Sequence, residues 1–536
     1  MKPKGERLHQ SKWFNVTTLG WAVLAGVFLI AWYYMDHYVM YTLNSDHSSD
    51  LVLGHLLAEE NAVITKSWCY STVLKVIDIN LVWALLFKLT DNWHTVRVLG
   101  SVMIYALMLL SLYYCCRKAG LREQFGYVGA VLLLPVSMDY FDIVMRGVYY
   151  AATIVTALLS LGLWFAFLRA AERKRRGWLL AAGLLISAVG GLCGPMQLVM
   201  FNIPMALAAL LLCFVDREDS CPGLLLFPLL MALATVAGYV FSNGVLAKLY
   251  DFQVYEKMLF TSLSMDKIMK VINGWLDIFG YRAGQSIFSK ALLINAAAGV
   301  WTLLGFYSAF HVLAKRRAYE APARLLACMY LAYFTVMLLV FAMSSKAFVT
   351  RYLAMTVIFA ALAVFACFGK GWESPKTGRA VLAAFMAMCL FCGALSYNDL
   401  RKMDDTKGQR EAAQALVEQG YTQGYATFWN ANVLTELSNG QLEVWHWNDG
   451  KQHIETLEDF NDIYPWLQAK SHLTNPPEGK VFVLLSANED YYYEFTKKFS
   501  QENVIYRAEN YYDYGYKDYI AYGFSSYEEL EALLSK

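Results

Sequence analysis

The sequence predicts a polytopic α-helical membrane protein with about eleven transmembrane helices and a small α/β domain at its C-terminal end. Its 536 residues are 57% hydrophobic and 17% charged, with a mean hydropathy of +0.36, whereas soluble domains carry about 25% charged residues. The charge is also divided unevenly. The tail from Tyr397 onward holds 23 acidic and 12 basic residues, and the remainder has a net charge of +12. This asymmetry places the two parts in different environments.

The predicted membrane spans are apolar segments close to the length of about 20 residues that a bilayer core of about 30 Å requires. They lie at residues 17–38, 95–116, 125–138, 146–168, 178–193, 196–215, 223–241, 291–313, 325–343, 353–369 and 380–396. The third and fifth are among the shortest. The N-terminus and alternate loops, such as RAAERKRRG and AKRRAYEAPAR, are rich in Lys and Arg. Basic loops stay in the cytoplasm, so we expect a cytoplasmic N-terminus in the plasma membrane and an extracytoplasmic C-terminus.

This topology divides the chain into a transmembrane domain, residues 1–396, and an extracytoplasmic α/β domain, residues 397–536. Two large outer loops interrupt the first, at residues 39–94 and 242–290. The first loop is predicted to hold a helix in SDLVLGHLLAEE, an extended piece, and the apolar helix VIDINLVWALLFKL. About 14 residues are too few to span a bilayer, so this last helix is expected to lie along the interface.

The C-terminal domain alternates between helix and strand patterns. REAAQALVEQG and NEDYYYEFTKKF are predicted helices, and QLEVWHW and KVFVLLS are strands by their β-branched and aromatic content. The segment from Ile505 to Phe524 is predicted to be a hairpin. The last helix opens with the capping-box pattern Ser526–Glu529.

Nucleic-acid binding is disfavoured by the charge distribution, and nucleotide binding is disfavoured by the lack of its motifs. The acidic C-terminal domain lacks the basic surface that nucleic-acid phosphates require, and the basic part is embedded in the membrane. The sequence also lacks a Walker-type GxxxxGKS/T loop and a credible GxGxxG fingerprint. The ten cysteines all precede residue 393, mostly inside apolar runs, so they are interpreted as small buried hydrophobes.

Four acidic residues and two histidines crowd into LNSDHSSDLVLGHLLAEEN, immediately after the first span. If a helix starts at Ser45, Asp46 and Asp50 share one of its faces. Paired carboxylates can deprotonate a hydroxyl nucleophile or hold a divalent cation. The alternative is that Asp46 caps the helix and the others solvate a loop, since Asp is a favoured N-cap.

Other predicted outer loops also carry charges at membrane depth, where charged groups tend to mark substrate paths. SMDYFDIVMRG supplies Asp139, Asp142 and Arg146, and SSKAFVTRY supplies Lys346 and Arg351. Interfacial snorkelling is the alternative for the last two. Acids on two loops and bases on a third would suit an acceptor hydroxyl and an anionic lipid phosphate.

Five features follow one another here: the first span, the acid at the mouth of the first outer loop, the helix SDLVLGHLLAEENAVI, the aromatic SWCYST and an apolar helix. This order resembles the GT-C superfamily of integral-membrane glycosyltransferases. This superfamily includes protein mannosyltransferases, the aminoarabinose transferase of lipid A and the RgtA/B-like group. The resemblance in architecture extends to about residue 396, and the motifs are confined to the region from about residue 43 to about residue 100, with weaker similarity around Asp139–Arg146 and Arg351–Tyr352.

The resemblance implies roles for these side chains. Asp46 would be the general base toward the acceptor, with Asp50 as second choice, and Asp142 or Asp139 would contribute a further acid. Arg146, Lys346 and Arg351 would bind the donor phosphate. The sequence has SDHSSD in place of the adjacent Asp-Glu pair of the protein mannosyltransferases, so the choice of base stays open, as does a divalent cation; no cofactor is otherwise implied.

The expected function is therefore an inverting transfer of a sugar from a polyprenyl-phosphate-linked donor in the membrane lipid to an extracytoplasmic acceptor, which would be a lipid, a glycan or a protein. One alternative is a transporter or flippase of lipid-linked sugars, although such proteins usually show repeated halves and the sequence shows no internal repeat. A second alternative is a non-catalytic membrane protein whose tail binds glycan.

Overall fold

The structure is a computed structural model, and it describes residues 16–216, 222–250, 252, 259–286, 288–369, 372–447, 460–512 and 515–535. The basic N-terminal segment on which the predicted orientation partly rests lies outside these ranges. Helices of the membrane part and its loops are α1 (Val16–His37), α2 (Ser45–Glu60), α3 (Asn80–Phe87), α4 (Trp93–Ala119), α5 (Phe125–Leu133), α6 (Met138–Phe141), α7 (Ala151–Arg169), α8 (Arg173–Leu192), α9 (Ile203–Val215), α10 (Pro222–Gly244), α11 (Met265–Asp277), α12 (Ala291–Ala314), α13 (Ala321–Ala342), α14 (Ala354–Phe368) and α15 (Pro375–Leu400).

The protein is a multi-pass helical membrane protein. Within the described ranges, nine helices are long and apolar enough to cross a membrane, and a bent pair adds a tenth candidate. The predicted fifth segment is helix α8, whose first residues Arg173–Arg176 are all basic. Every predicted span thus coincides with helical structure. The last span ends at Leu400, so the predicted domain boundary at residue 397 falls in its final turn.

The predicted third span is not straight. Helix α5 ends at Leu133, and the pair formed by Arg122–Leu133 and Met138–Arg146 bends by 102°. Pro135 has no backbone N–H to continue the helix. Ser137 then adopts an extended conformation and caps α6, its Oγ accepting a hydrogen bond from the N–H of Tyr140 at 3.0 Å. The π-helical turn Asp142–Arg146 follows, and it leads directly to α7.

Close packing of two spans depends on glycine. A Cβ atom on Gly191 of α8 would lie 2.1 Å from the carbonyl oxygen of Thr235 in α10, and one on Gly238 of α10 would lie 2.1 Å from the carbonyl oxygen of Ala188. The two backbones are therefore in direct contact, as small residues permit between membrane helices.

The C-terminal domain is a five-stranded sheet with helices on its faces. The strands of the structure are β1 (Trp68–Cys69), β2 (Gln423–Ala426), β3 (Glu443–His446), β4 (Gln468–Ala469), β5 (Val481–Ser486), β6 (Val504–Arg507) and β7 (Tyr519–Phe524). The sheet order is β3-β2-β5-β7-β6, in which β2 is parallel to β3 and β5, and β7 is antiparallel to β5 and β6. Its helices are α16 (Lys407–Glu418), α17 (Phe428–Leu437), α18 (Ala487–Tyr492) and α19 (Tyr527–Leu534).

The predicted strands QLEVWHW and KVFVLLS form in part, as β3 (Glu443–His446) and β5 (Val481–Ser486). The hairpin β6–β7 and the terminal helix are confirmed. Ser526 caps α19, accepting a hydrogen bond from the N–H of Glu529 at 3.4 Å. The sequence reading missed β2 and α17. The run GYA of β2 is too short and has no β-branched residue, so it does not predict a central strand, although the sheet buries it on both faces.

The C-terminal domain is packed directly on the first outer loop. Strand β1 of that loop pairs antiparallel with β4 of the domain, Trp68 opposite Ala469 and Cys69 opposite Gln468. Helix α17 of the domain lies against α2, whose N-terminal part is buried. Helix α2 begins at Ser45, four residues before the predicted helix pattern, and α3 confirms the predicted apolar helix.

Candidate active site

Helix α2 is capped by Asn44. The backbone of Asn44 is extended, and the Oδ1 atom of its side chain accepts a hydrogen bond from the N–H of His47 at 3.1 Å. The Nδ1 atom of His47 in turn accepts from the N–H of Asn44 at 3.3 Å, which completes a capping box. The N-cap role that was the alternative explanation of Asp46 therefore belongs to Asn44, and the Asp46 carboxylate is not needed for the cap.

A cavity of about 420 Å³ lies between α2, the following loop, the start of α7, the end of α13 and the 3₁₀ turn that precedes α14. Four of the predicted site residues line it: Asp46, Asp50, Lys346 and Arg351. They come from loops separated by roughly 300 residues in the chain, yet the fold brings them to one place. The hypothesis of a transferase site requires that these acidic and basic side chains meet in one cavity.

The carboxylate of Asp46 forms no hydrogen bond or ion pair with any residue that the structure describes. Burial raises the pKa of the Asp46 carboxyl above its usual value, and the like charges of Asp50 and Asp142 act in the same direction. Arg351 and Lys75 oppose this rise by attracting the ionised form. An unpartnered carboxylate with a raised pKa beside cations is suited to accept a proton.

Asp50 is held differently. Its side chain is buried, and its Oδ1 contacts the ammonium group of Lys75. Burial alone would lower the pKa of Lys75, but the attraction of Asp50 and Asp78 outweighs burial and raises it, so Lys75 is a cation. Lys75 lines the cavity, yet the sequence reading did not select it. The only signal was a lone lysine inside the apolar run VLKVIDI.

Arg351 and Lys346 lie between α13 and α14. Arg351 belongs to the 3₁₀ turn Thr350–Leu353 and forms no ion pair with the described residues, and its Nε is buried without a hydrogen-bond partner. The preceding loop is fixed to the second large loop, since the N–H of Ser345 donates to the carbonyl oxygen of Leu259 at 2.8 Å and the N–H of Thr261 donates to that of Met343 at 2.9 Å. The cations thus stand on an anchored loop.

Asp142 and Arg146 form a second cluster beside the cavity and not on its lining. The Nε of Arg146 donates to Oδ1 of Asp142 at 2.7 Å, and its Nη1 donates to the carbonyl oxygen of Thr42 at 2.7 Å. The same Oδ1 lies 3.0 Å from Nε2 of His47. Burial lowers the pKa of His47 to about 4, so the ring is neutral; since Nδ1 accepts from Asn44, Nε2 carries the proton and donates to Asp142. This cluster braces the start of α2.

Asp139 is exposed and does not line the cavity. Asp139, Asp142 and Arg146 would share one face of a regular α-helix, but a π-helical turn begins at Asp142. Roles for Asp139, Asp142 and Arg146 in catalysis or donor binding stay predictions. His55, four residues before Glu59, stacks on Trp93 and takes no part in the cavity.

The C-terminal domain supplies part of the cavity wall, which the sequence reading did not foresee. Trp466 and Leu467 line the cavity just before β4. Leu467 has a positive φ of 52°, a conformation that L-residues rarely adopt. Two hydrogen bonds hold it there: its N–H donates to the carbonyl oxygen of Cys69 at 2.7 Å, and its carbonyl oxygen accepts from Nδ2 of Asn432 at 2.7 Å.

The rest of the cavity is largely apolar and is built by the ends of membrane helices. Its lining there includes Val189, Met196, Met200, Val340 and Phe341. The cavity therefore joins a charged region to a region of hydrocarbon-like surface, an arrangement that fits an amphiphile with an anionic head.

Within the described ranges, no group of three or more His, Cys, Asp or Glu side chains has the arrangement of a metal site. Asp46, Asp50 and Asp78 do line the same cavity, but Asp50 contacts Lys75. A divalent cation here stays a prediction that follows from the resemblance.

Two proteins of known structure have a similar fold. ArnT from Cupriavidus metallidurans in the apo state is 10% identical, with a TM-score of 0.55 over 97% of this chain and 99% of that chain. The same protein bound to undecaprenyl phosphate is 10% identical, with a TM-score of 0.53 over 95% and 98%. The Archaeoglobus fulgidus oligosaccharyltransferase in complex with zinc and sulfate is 12% identical, with a TM-score of 0.50 over 89% and 69%.

No protein-family model and no curated protein matches the sequence. At this level of identity the structural similarity shows the fold, which is GT-C-like and extends over nearly the whole chain.

Proposed function

We propose that this chain is a membrane glycosyltransferase that moves a sugar from a polyprenyl-phosphate donor to a hydroxyl group of an extracytoplasmic acceptor. The observation that supports this most directly is the shared cavity, in which the carboxylate of Asp46, without a partner among the described residues, stands with the cations Lys75, Lys346 and Arg351 next to an apolar surface. A transferase of this kind needs a base, a phosphate site and room for a lipid in one place.

In the proposed reaction, Asp46 accepts the proton of the acceptor hydroxyl as its oxygen bonds to the anomeric carbon of the donor sugar. The bond between that carbon and the phosphate oxygen breaks on the opposite side, so the configuration inverts. The electron pair leaves with the polyprenyl phosphate, whose developing charge Arg351, Lys346 and Lys75 stabilise. Asp46 then releases its proton to solvent.

Asp46 is the better candidate for the base than Asp50. The carboxylate of Asp50 already contacts the ammonium group of Lys75, so it is engaged within the protein. Asp46 forms no such bond in the described part of the chain, and its pKa is raised by burial. Asp50 instead holds Lys75 in the cavity.

The chemistry of the cavity supports a lipid-linked phosphate as donor. Three cations suit a phosphate group, and the apolar lining from Val189 to Phe341 suits a prenyl chain. One of the solved structures with this fold holds undecaprenyl phosphate. We also place the cavity and the C-terminal domain outside the plasma membrane, since the basic loops lie at the other ends of the spans.

The transporter alternative is less well supported, because the charged groups gather where loops meet one end of the helices, whereas transporter sites lie near mid-membrane between repeated halves. The glycan-binding alternative leaves the cations beside Asp46 without a role. Both remain outcomes of the experiment that follows.

The test uses purified full-length protein in detergent with undecaprenyl-phosphate-linked sugars, a mixture of glycan and lipid acceptors, and an assay for released undecaprenyl phosphate. We expect release by the wild type and a loss of about 10²-fold or more in Asp46→Asn, with binding of undecaprenyl phosphate retained. Asp50→Asn is the matched control and is expected to keep more activity. Unchanged turnover in Asp46→Asn would remove the base, and absence of turnover with every sugar lipid would favour the two alternatives.

A further inference from the structure

Arg97 and Glu436 form an ion pair that is completely buried where the membrane part meets the C-terminal domain. Arg97 is in the first turns of α4, and Glu436 is near the end of α17. The Nε of Arg97 donates to Oε1 of Glu436 at 2.8 Å, and Nη2 donates to Oε2 at 2.6 Å. Both side chains have 0% exposure, so the pair is bidentate and shielded from water.

The same guanidinium contacts the helix that carries Asp46. Nη2 of Arg97 also donates to the backbone carbonyl oxygen of His47 at 3.0 Å. His47 directly follows Asp46 in the chain, so this bond fixes the backbone next to the proposed base. The plane of the guanidinium lies over the ring of Trp83 in α3, 5.0 Å from its centroid.

A second contact from α17 reaches the next turn of α2. Nδ2 of Asn432 donates to Oγ of Ser49 at 2.8 Å and to the carbonyl oxygen of Leu467 at 2.7 Å. Asn432 is one turn before Glu436 on the same helix. One face of α17 therefore holds both the turn of α2 that carries Asp46 and the strained residue of the cavity wall.

A buried ion pair is a poor way to gain stability. Removing two charges from water carries a large desolvation cost, and apolar residues of similar volume often stabilise a protein as well or better. In the part of the chain that the structure describes, Nη1 of Arg97 is in addition buried without a hydrogen-bond partner, which adds a further cost. The pair therefore calls for a role other than stability, and the bond to His47 suggests one.

We propose that the C-terminal domain positions the catalytic helix: Glu436 orients Arg97, Arg97 holds the backbone beside Asp46, and Asn432 holds the following turn. This inference rests on the proposed function, because the positioned group is its base. Arg97, Glu436 and Asn432 are positioning residues that touch neither donor nor acceptor. Displacing a reacting group by about 1 Å can cost about 10²-fold in rate.

The test replaces the pair with apolar residues of similar size in the full-length protein, Arg97→Met with Glu436→Leu. This double substitution leaves no charge buried alone, so the fold is expected to persist. The matched control is Lys517→Gln, which breaks the exposed contact of Lys517 with Asp405 and leaves the buried pair intact. Two readouts are used: transfer kinetics and hydrogen exchange of peptides covering residues 45–51 and, for the sheet core, 481–486.

In the double variant we expect kcat to fall between about tenfold and 10²-fold, while KM for the donor lipid stays within about twofold because the donor cations are intact. Exchange should accelerate at residues 45–51 and not at 481–486, and Lys517→Gln should change neither readout. Unchanged kcat with unchanged exchange at 45–51 would overturn the proposal. Faster exchange in both peptides would also overturn it, since the pair would then stabilise the whole domain. If the wild type transfers no sugar, the proposed function fails, and the exchange readout still decides whether the pair holds α2.

Discussion

Asp46 and Arg351 line the same cavity, and neither forms an ion pair with any other residue in the described part of the chain. Arg351 nevertheless acts on Asp46 through space, since it opposes the rise in pKa that burial causes. Elsewhere around the cavity, charges are matched within the protein, as in the contact of Lys75 with Asp50 and of Arg146 with Asp142. The carboxylate of Asp46 and the guanidinium of Arg351, which have no ion-pair partner among the described residues, are therefore available to a substrate.

The first prediction concerns the pH dependence of transfer. Asp46 must be ionised to accept a proton, and its pKa is raised by burial, so kcat/KM should fall on the acid side at a higher pH than for an ordinary aspartate. Arg351→Gln removes a charge that favours the ionised carboxylate, so its acid limb should move further toward high pH. The measurement is kcat/KM against pH for wild type and variant. A limb that stays in place or moves to lower pH would contradict the prediction.

The second prediction concerns stability. Because the pKa of Asp46 is higher in the folded chain than in the unfolded chain, ionising it on going from acid to neutral pH costs stability. Asp46→Asn keeps the shape without the charge and should raise Tm at neutral pH by roughly 1–2 °C. The gain should disappear below the pH at which Asp46 is protonated. Thermal unfolding at both pH values measures it, and a lower Tm at neutral pH would show that the carboxylate is structural.

The third prediction separates the two roles of the Lys75–Asp50 contact. Either Lys75→Met or Asp50→Asn leaves one charge without its buried partner, which should lower the free energy of unfolding by about 3–5 kcal/mol for the lysine substitution. The double variant should recover most of that stability but bind undecaprenyl phosphate more weakly than wild type, since a cavity cation is gone. Denaturant unfolding and lipid titration measure the two effects. Normal lipid affinity in the double variant would remove Lys75 from the donor site.

The fourth prediction compares two arginines that the sequence assigned to the donor phosphate. Arg351 lines the cavity, whereas Arg146 is bonded to Asp142 and Thr42 beside it. Arg351→Gln should weaken binding of undecaprenyl phosphate by about tenfold or more, as loss of a hydrogen bond to a charged group does. Arg146→Gln should leave affinity within about twofold. Equal losses in the lipid titration would instead support the role in donor binding that the sequence assigned to Arg146.

Much of the architecture could be predicted because hydropathy and periodicity are local properties. Each predicted span coincides with helical structure, and the hairpin that ends at Phe524 forms as expected. Pro135 lies within the predicted third span, and a proline there is a local signal for the break that the structure shows. Strand β2 was missed because its burial between β3 and β5 comes from its neighbours.

The site was predictable only in part. Sequence position and charge selected Asp46, Asp50, Lys346 and Arg351, and all four meet in the cavity. Lys75 and Trp466 were missed, because a lone lysine in an apolar run and a single tryptophan are weak local signals. Asp142 and Arg146 were selected as site residues, but the structure pairs them with each other and with His47.

The sequence by itself determined which segments are helices in a membrane, which part folds as an α/β domain, and which loops carry charge. These properties follow from composition and spacing within about 20 residues. Only the tertiary structure decided which charges are neutralised within the protein and which are left to face a cavity. It also decided that α17 packs against α2, the helix that carries Asp46. Those outcomes depend on contacts between residues hundreds of positions apart, such as Arg97 with Glu436, and pairing of this kind leaves no periodic trace in a single sequence.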